Sequence, residues 1–421
     1  MLDLRRIVND TDAVRAGLAK RGEEDAPIDA IIELDERRRS LIQQTDSARH
    51  FRNEVSRRIG EEKRRPTDDE IQQMRATGDR ISALEDEART VETDLRVLML
   101  GLPNLPLEDV PDGLDETFNE IVSEVEPPPA REWDTPHWDV GERLGIIDME
   151  SAANISGSRF YMLRGPGARL HRAIVGWLLD TLVDEFGYEE TNPPYLVREE
   201  ALVGTGNLPK FADDLYRDED AGLWMIPTSE VSLNAIHQGN IIDGDLPLKY
   251  CAHTPCFRKE HAAAGRDVRG MKRVKQFEKV EMFRFVEPDE SEAALEEMIE
   301  ISLELCRRLG FTTRLLKLCA GDIAFQSAKT YDIEVWSPGA QEWLEISSLS
   351  TCTDFQARRN NTRYRPKVGS GTRFPHTLNG SALGMPRTFI AVLENGLQAD
   401  GSVVLPEVLW GRMGVDRIGS C

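Results

Sequence analysis

Between residues 31 and 100, apolar side chains return every three, four or seven positions, and this spacing predicts two long helices. The first carries Leu34, Leu41, Ala48 and Val55 at seven-residue steps. The second carries Ile71, Met74, Gly78, Ile81, Leu84, Ala88, Val91, Leu95 and Leu98 at steps of three or four. Each helix thereby gains a single apolar stripe, as in a coiled coil. Between them stand Pro66 and then Thr67-Asp68-Asp69-Glu70, which reads as a capping box opening the second helix. Two stripes joined by a tight turn predict an antiparallel hairpin, too narrow to hold a globular core of its own.

Residues 101–130 read as a linker, with Pro103, Pro106, Pro111 and a run of three prolines at 127–129. From about 131 onward the pattern is globular. A helix is expected over 167–186, closed by Gly187, followed by a short strand in ETNPPYLV. Strands are expected at 248–260 and 274–286, a helix at 289–310, and strands again at 334–350 and 388–398. Runs of strands with few intervening helices predict an α+β fold with an antiparallel sheet. No internal repeat is visible.

The chain has 421 residues, enough for two or three domains, and a formal net charge of −22. That sum argues against a polyanionic partner until it is resolved by segment. Residues 37–65 hold ten Lys and Arg against four acids, a net +6, whereas residues 68–94 hold nine acids against three arginines, a net −6. The first helix of the hairpin therefore offers a basic edge to a polyanion, with pairing between the two helices as the alternative use of the same charges. No apolar run approaches the roughly 20 residues of a membrane helix; IVGWLL at 174–179 ends at Asp180. The N-terminus lacks the apolar core of a secretory signal, and the six cysteines contain no C-x-x-C pair. A reduced cytoplasmic protein without a membrane segment is the expectation.

No phosphate-binding GxxxxGK[ST] loop is present, and no GxGxxG follows a strand. The chemistry-bearing segment is instead FRKEHAAAGRDVRGMKRVKQFEKVEMFRF at 257–285, two strands joined by a basic, glycine-containing loop. A second is NGSALGMPRTFIAVLEN at 379–395, a glycine-rich turn followed by Arg387 and an amphipathic helix, a reading that competes with the strand over 388–398. The first segment resembles motif 2 of the class II aminoacyl-tRNA synthetases, and the second resembles their motif 3. PTSE at 227–230, KTYDIEVWSPG at 329–339 and LEISSLSTCTDFQARR at 344–359 narrow the resemblance to the seryl-tRNA synthetase family, as does the hairpin. Helix 167–186 with Pro194 resembles motif 1, the dimer-interface element. The resemblance covers essentially the whole chain.

What the resemblance implies is an N-terminal tRNA-binding domain at 1–105 with a coiled-coil arm at about 31–100, a linker at 106–130 and a class II catalytic domain at 131–421. The implied activity is ATP-dependent formation of seryl-adenylate from L-serine, then transfer to the 3′ end of tRNA(Ser), with tRNA(Sec) as a further candidate, by a homodimer. Arg258 and Arg387 take the catalytic roles on the triphosphate, where planar guanidinium groups suit phosphate oxygens. Lys259, Glu260, Phe277, Glu345, Ile346, Ser347 and Ser348 complete the ATP site, with Glu260 accepting from the adenine amino group and Phe277 stacking on the ring. Glu345 and Ser348 are the implied Mg²⁺ contacts, hard oxygen donors for a hard cation. Thr228, Ser229, Glu230, Glu281 and Ser381 form the serine pocket, and Ser381 also reads as a helix N-cap. The chain departs from the family pattern at His261-Ala262-Ala263-Ala264 in the motif 2 loop and at GMPRT in motif 3.

Overall fold

A computed structural model describes residues 1–260, 269–367, 369 and 371–419. His261 to Ala264, Arg266 and Cys421 lie outside the described residues. The chain divides into two units, one holding residues 2–19 and 23–103, the other residues 1, 20–22 and 104–421.

The first unit is helical: α1 (Leu4–Asn9), α2 (Thr11–Ala19), α3 (Ile28–Glu61) and α4 (Asp68–Gly101). The capping box is present in full. The Glu70 N–H donates to Thr67 Oγ1 at 3.2 Å, and the Thr67 N–H donates to the Glu70 carboxylate at 2.9 Å. The paired stripes bury Leu41 and Val55 from α3 and Ile81, Val91 and Leu95 from α4. Toward the turn the seam opens, and Ile71 is left 38% exposed.

The second unit is built on an eight-stranded sheet. Its order is β1 (Glu120–Glu124), β9 (Thr313–Lys317), β10 (Lys329–Ser337), β11 (Glu342–Thr353), β13 (His376–Gly384), β8 (Gln276–Val286), β7 (Leu248–Phe257) and β2 (Glu189–Glu190). All neighbours are antiparallel except β2 on β7. Smaller sheets join β3 (Leu196–Val197), β4 (Arg217–Asp218) and β5 (Leu223–Met225); β6 (Ile241–Ile242) and β12 (Arg363–Tyr364); and β14 (Val403–Val404) and β15 (Arg417–Ile418). The helices are α5 (His137–Arg143), α6 (Met149–Ser156), α7 (Pro166–Asp184), α8 (Glu199–Thr205), α9 (Glu230–Ala235), α10 (Ser291–Arg308), α11 (Phe355–Asn360), α12 (Met385–Gly396) and α13 (Glu407–Met413). One apolar core joins α7, α10 and α12 to inward residues of the sheet such as Val280, Met282, Ile333 and Leu349.

Three expectations need correction. Residues 388–398 do not form a strand, because α12 runs through them. Its β-branched and aromatic residues reflect burial on nearly every side, with Phe389, Ile390 and Val392 all inside the core, and not sheet geometry. Residues 379–384 are not a turn but the end of β13. Gly380 is required there because a Cβ would lie 2.9 Å from the Leu349 side chain on the neighbouring strand. Ser381 is therefore mid-strand, and the N-cap of α12 is Gly384 with Pro386 in the first turn.

Candidate active site

Strand periodicity turns alternate residues in the first part of β8 toward one cavity of about 370 Å³, so Phe277, Lys279 and Glu281 line it while Val280 and Met282 enter the core. In β11 the pairing with β10 shifts by one residue between Ile333/Ser347 and Glu334/Glu345. This bulge adds Glu345 to the face already carrying Ile346, Ser348 and Ser350, and all four line the cavity. Register sets Ser381 of β13 opposite Glu281 of β8, and Ser350 of β11 opposite Asn379 of β13. The first pair lies 100 residues apart in sequence and the second 29, and both become neighbours in this way.

One group of side chains is acidic and amide-rich. Glu230, the first residue of α9, is 4% exposed, and its Oε1 accepts from Gln356 Nε2 at 2.6 Å and from Asn379 Nδ2 at 3.1 Å. Burial, reinforced by the like charge of Glu281, drives the Glu230 carboxyl up to about 7. Glu281 is itself buried and ion-paired with Lys279, whose ammonium also donates to Thr228 Oγ1 at 2.9 Å.

The other group is cationic and gathers around Glu345. Enclosure would raise that carboxyl, but Arg387, and more weakly Arg258 and Arg273, outweigh it and hold Glu345 below the ordinary carboxylate range. Arg387 Nη1 donates to the Glu345 carbonyl at 2.7 Å and stands 3.2 Å from its carboxylate. Arg258 donates from Nε to the Pro227 carbonyl at 3.2 Å, and its guanidinium lies 5.0 Å over the Phe277 ring. Arg273 pairs with Glu260 at 3.3 Å.

Asp332 on β10 adds a third feature. Burial, with Glu345 nearby, raises its carboxyl well above the usual range, and its Oδ1 has no hydrogen-bond partner among the described residues. Adjacent carboxylates beside the Ser348 hydroxyl form an all-oxygen donor set, suited to a hard cation such as Mg²⁺. Among the described residues no group of three His, Cys, Asp or Glu is placed to hold a metal by itself.

The cavity thus brings together Thr228, Glu230, Arg258, Glu260, Phe277 and Glu281 with Glu345, Ile346, Ser348, Ser381 and Arg387. Three sequence candidates stand outside the lining. The Lys259 ammonium lies 5.9 Å from the Tyr216 ring, Ser229 is buried with its hydroxyl 2.6 Å from that of Thr254, and Ser347 donates to the Ser381 carbonyl. Sequence reasoning missed Lys279, Asn379, Gln356, Lys272 and Arg273. Alternation from Phe277 and Glu281 points to Lys279, and alternation from Ser381 points to Asn379. Nothing local marks Gln356, which arrives from α11.

The seryl-tRNA synthetase N-terminal domain model matches residues 1–106, and the model of the class II tRNA synthetase core domain (G, H, P, S and T) matches residues 211–396. The chain is 51% identical over 423 residues to the serine–tRNA ligase of Thermomicrobium roseum, covering 100% of this chain and 95% of that one. It superposes on the crystal structure of seryl-tRNA synthetase from Pyrococcus horikoshii complexed with ATP with a TM-score of 0.94 at 36% identity, covering 100% of both chains. The cytoplasmic serine–tRNA ligase of Naegleria fowleri in complex with AMP matches with a TM-score of 0.87 at 30% identity, over 99% of this chain and 98% of that one.

Proposed function

The chain belongs to the seryl-tRNA synthetase family, and on that premise we propose that its cavity joins L-serine to ATP and passes the seryl group to tRNA(Ser). The observation that carries this reading is the pairing, in one cavity, of a buried carboxylate cluster with a separate arginine cluster. Glu230 and Glu281 suit the serine ammonium. Ser381, Thr228 and Asn379 supply polar partners for a small hydroxylated side chain, and a site built to bond a hydroxyl discriminates strongly against analogues lacking one.

Arg258 and Arg387 receive the phosphates. A serine carboxylate oxygen attacks the α-phosphorus, an acyl–phosphate bond forms, and the bond to the β-phosphate breaks as pyrophosphate leaves. The arginines take up charge on the phosphate in that step, so positioning and electrostatics carry the reaction. A ribose hydroxyl at the tRNA 3′ end then attacks the acyl carbon, forming the ester and releasing AMP. The oxygen donors of Glu345 and Ser348, with Asp332 beside them, fit a Mg²⁺ ion bound with ATP, which would neutralise phosphate charge. Phe277 offers an adenine platform once Arg258 turns to phosphate, and Glu260 offers the acceptor for the adenine amino group. Lys259, Ser229 and Ser347 support the lining residues beside them in the chain.

In this reading residues 1–105 form the tRNA-binding domain and 131–421 the catalytic domain, while 106–130, expected as a linker, also supply β1 to the catalytic sheet. Support comes from the arm's basic residues, of which Arg52, Lys63 and Arg65 form no ion pair among the described residues. A homodimer is part of this reading, and the segment with Pro194 that follows α7 is in keeping with it: Leu196 and Ile236 are exposed at 49% and 41% along a groove beside Pro193 and Pro194. No helix among the described residues is long and apolar enough to cross a membrane. A cytoplasmic place follows from the proposed work beside translation.

Pyrophosphate exchange across all the standard amino acids tests the reading, with charging of tRNA(Ser) and tRNA(Sec) as the second assay. Exchange with serine alone is expected. Exchange with another amino acid instead, or none, would overturn it.

A further inference from the structure

The strongest unabsorbed feature is a buried histidine behind the cavity wall. His137, the first residue of α5, is fully buried and bonded at both ring nitrogens. Its Nδ1 lies 3.1 Å from Glu394 Oε1, which also accepts the His137 backbone N–H at 2.9 Å. On the other edge, the backbone N–H of Met271 donates to His137 Nε2 at 3.0 Å. Nε2 therefore carries no proton, and the hydrogen resides on Nδ1, donated to Glu394. The second Glu394 oxygen takes the Ser337 hydroxyl and the Gly339 N–H, the latter at 3.0 Å. A buried carboxylate without a cation is thereby satisfied by four donors.

The position of each partner gives this network its consequence. Glu394 lies on α12, the helix that carries Arg387, whereas Met271 begins the Met271–Val274 stretch from which Lys272, Arg273 and Val274 line the cavity. His137 is the link between them. Neighbouring contacts seat the same segment on α5. The Arg269 guanidinium lies 5.0 Å and the Lys272 ammonium 5.6 Å from the Trp138 ring, and Arg269 reaches Asp139 at 3.4 Å. Gly270 has φ +76°, and a Cβ there would stand 2.2 Å from His137 Nε2, so the close approach requires glycine.

We propose that His137 is a positioning residue for ATP: its Nδ1–H tautomer spans from Glu394 to the Met271 N–H and holds the Lys272–Val274 wall in register with Arg387. A satisfied core histidine would contribute stability alone. A positioning role requires the Met271 bond in particular, because that bond places the wall. The inference deepens the ATP reading above and rests on it.

The two edges can be tested apart. Asn at 137 keeps a donor near the Nδ1 position but leaves Met271 without an acceptor; Gln reaches the Nε2 position with an amide oxygen. In serine-dependent pyrophosphate exchange, His137→Asn is expected to raise KM for ATP about tenfold, as for one lost buried hydrogen bond. KM for serine should stay within about twofold. His137→Gln should restore most of the ATP affinity although both variants melt below the parent. Gly270→Ala, whose Cβ would meet His137 Nε2 and disturb the Met271 edge while every side chain of the network is kept, should reproduce the Asn phenotype if the Asn protein fails to fold. Equal KM for ATP in Asn and Gln variants, or an unchanged KM in Gly270→Ala, would sink the proposal. Absence of serine-dependent exchange in the parent protein would instead overturn the functional reading.

Discussion

The cavity and the arm both concentrate charge, but they use it in opposite ways. In the cavity the charged groups converge on one small space, Glu230 and Glu281 are buried, and most are held by several partners. Lys279 serves Glu281 and Thr228, and Glu230 is held by the amides of Gln356, Asn379 and, at 3.5 Å, Gln326. In the arm they are many and exposed. Arg37 pairs with Glu87, Arg49 with Glu85, and Arg58 and Arg64 with Glu70, all across the hairpin. Arg38 and Arg39 both turn to the buried Asp35. Arg52, Lys63 and Arg65 stand outside this pairing among the described residues. The expected pairing of the basic stretch is thus present for most of its arginines, and a remainder is turned to solvent. The lesson concerns dielectric: a charge inside a low-dielectric cleft is costly to misplace and powerful when placed, whereas a solvated one is worth little alone.

That contrast should break first at the arginines of the cavity. Arg387→Ala or Arg258→Ala is expected to lower serine-dependent pyrophosphate exchange about a hundred- to a thousandfold. Retention of most activity would remove the electrostatic account. Glu230→Gln comes next, with exchange falling at least about a hundredfold while the protein melts no lower than the parent at pH 8. The sign follows from the carboxyl raised to about 7, above its unfolded value near 4.3. The ionised Glu230 costs stability that is absent below about pH 4, grows through the interval and is complete above about pH 7. A melting gain at pH 4 equal to that at pH 8 would contradict this.

The same group predicts a pH effect of intermediate size. Serine needs an ionised partner for its ammonium, so KM for serine should rise as pH falls below about 7, roughly tenfold per unit at the limit, while KM for ATP moves less. A flat serine profile between pH 6 and 8 would assign the ammonium to another group. On the arm, replacing Arg52, Lys63 and Arg65 together by Ala should weaken tRNA binding and lower the salt slope by up to about one for every phosphate no longer neutralised. Pyrophosphate exchange without tRNA should be unchanged, and an equal fall in both assays would count against a separate role for the arm. The smallest effect is expected at a single surface pair, where Arg49→Ala should cost less than about 0.5 kcal/mol in denaturant unfolding.

Much of this was legible in advance because the signals are local. The capping box at Thr67–Glu70 rests on residues three apart, and the hairpin of β7 and β8 on alternation within one stretch. Motif segments pointed to Arg258, Glu281, Glu345 and Arg387 because each motif is contiguous. Where two readings of one run competed, the amphipathic helix prevailed over the strand: α12 buries Phe389, Ile390 and Val392 in the core, and their β-branched and aromatic character had pointed to a strand.

From composition and spacing alone came the arm and the antiparallel sheet, and from contiguous motifs the family and most of the cavity's charged residues, since each depends on chain neighbours. Assembly decided the rest. The bulge at Ile346 that adds Glu345 to the cavity face, the arrival of Gln356 beside Glu230, and the His137 link between Met271 and Glu394 all depend on strand register and long-range packing. Such contacts join positions far apart in the chain, and no window along it contains both ends.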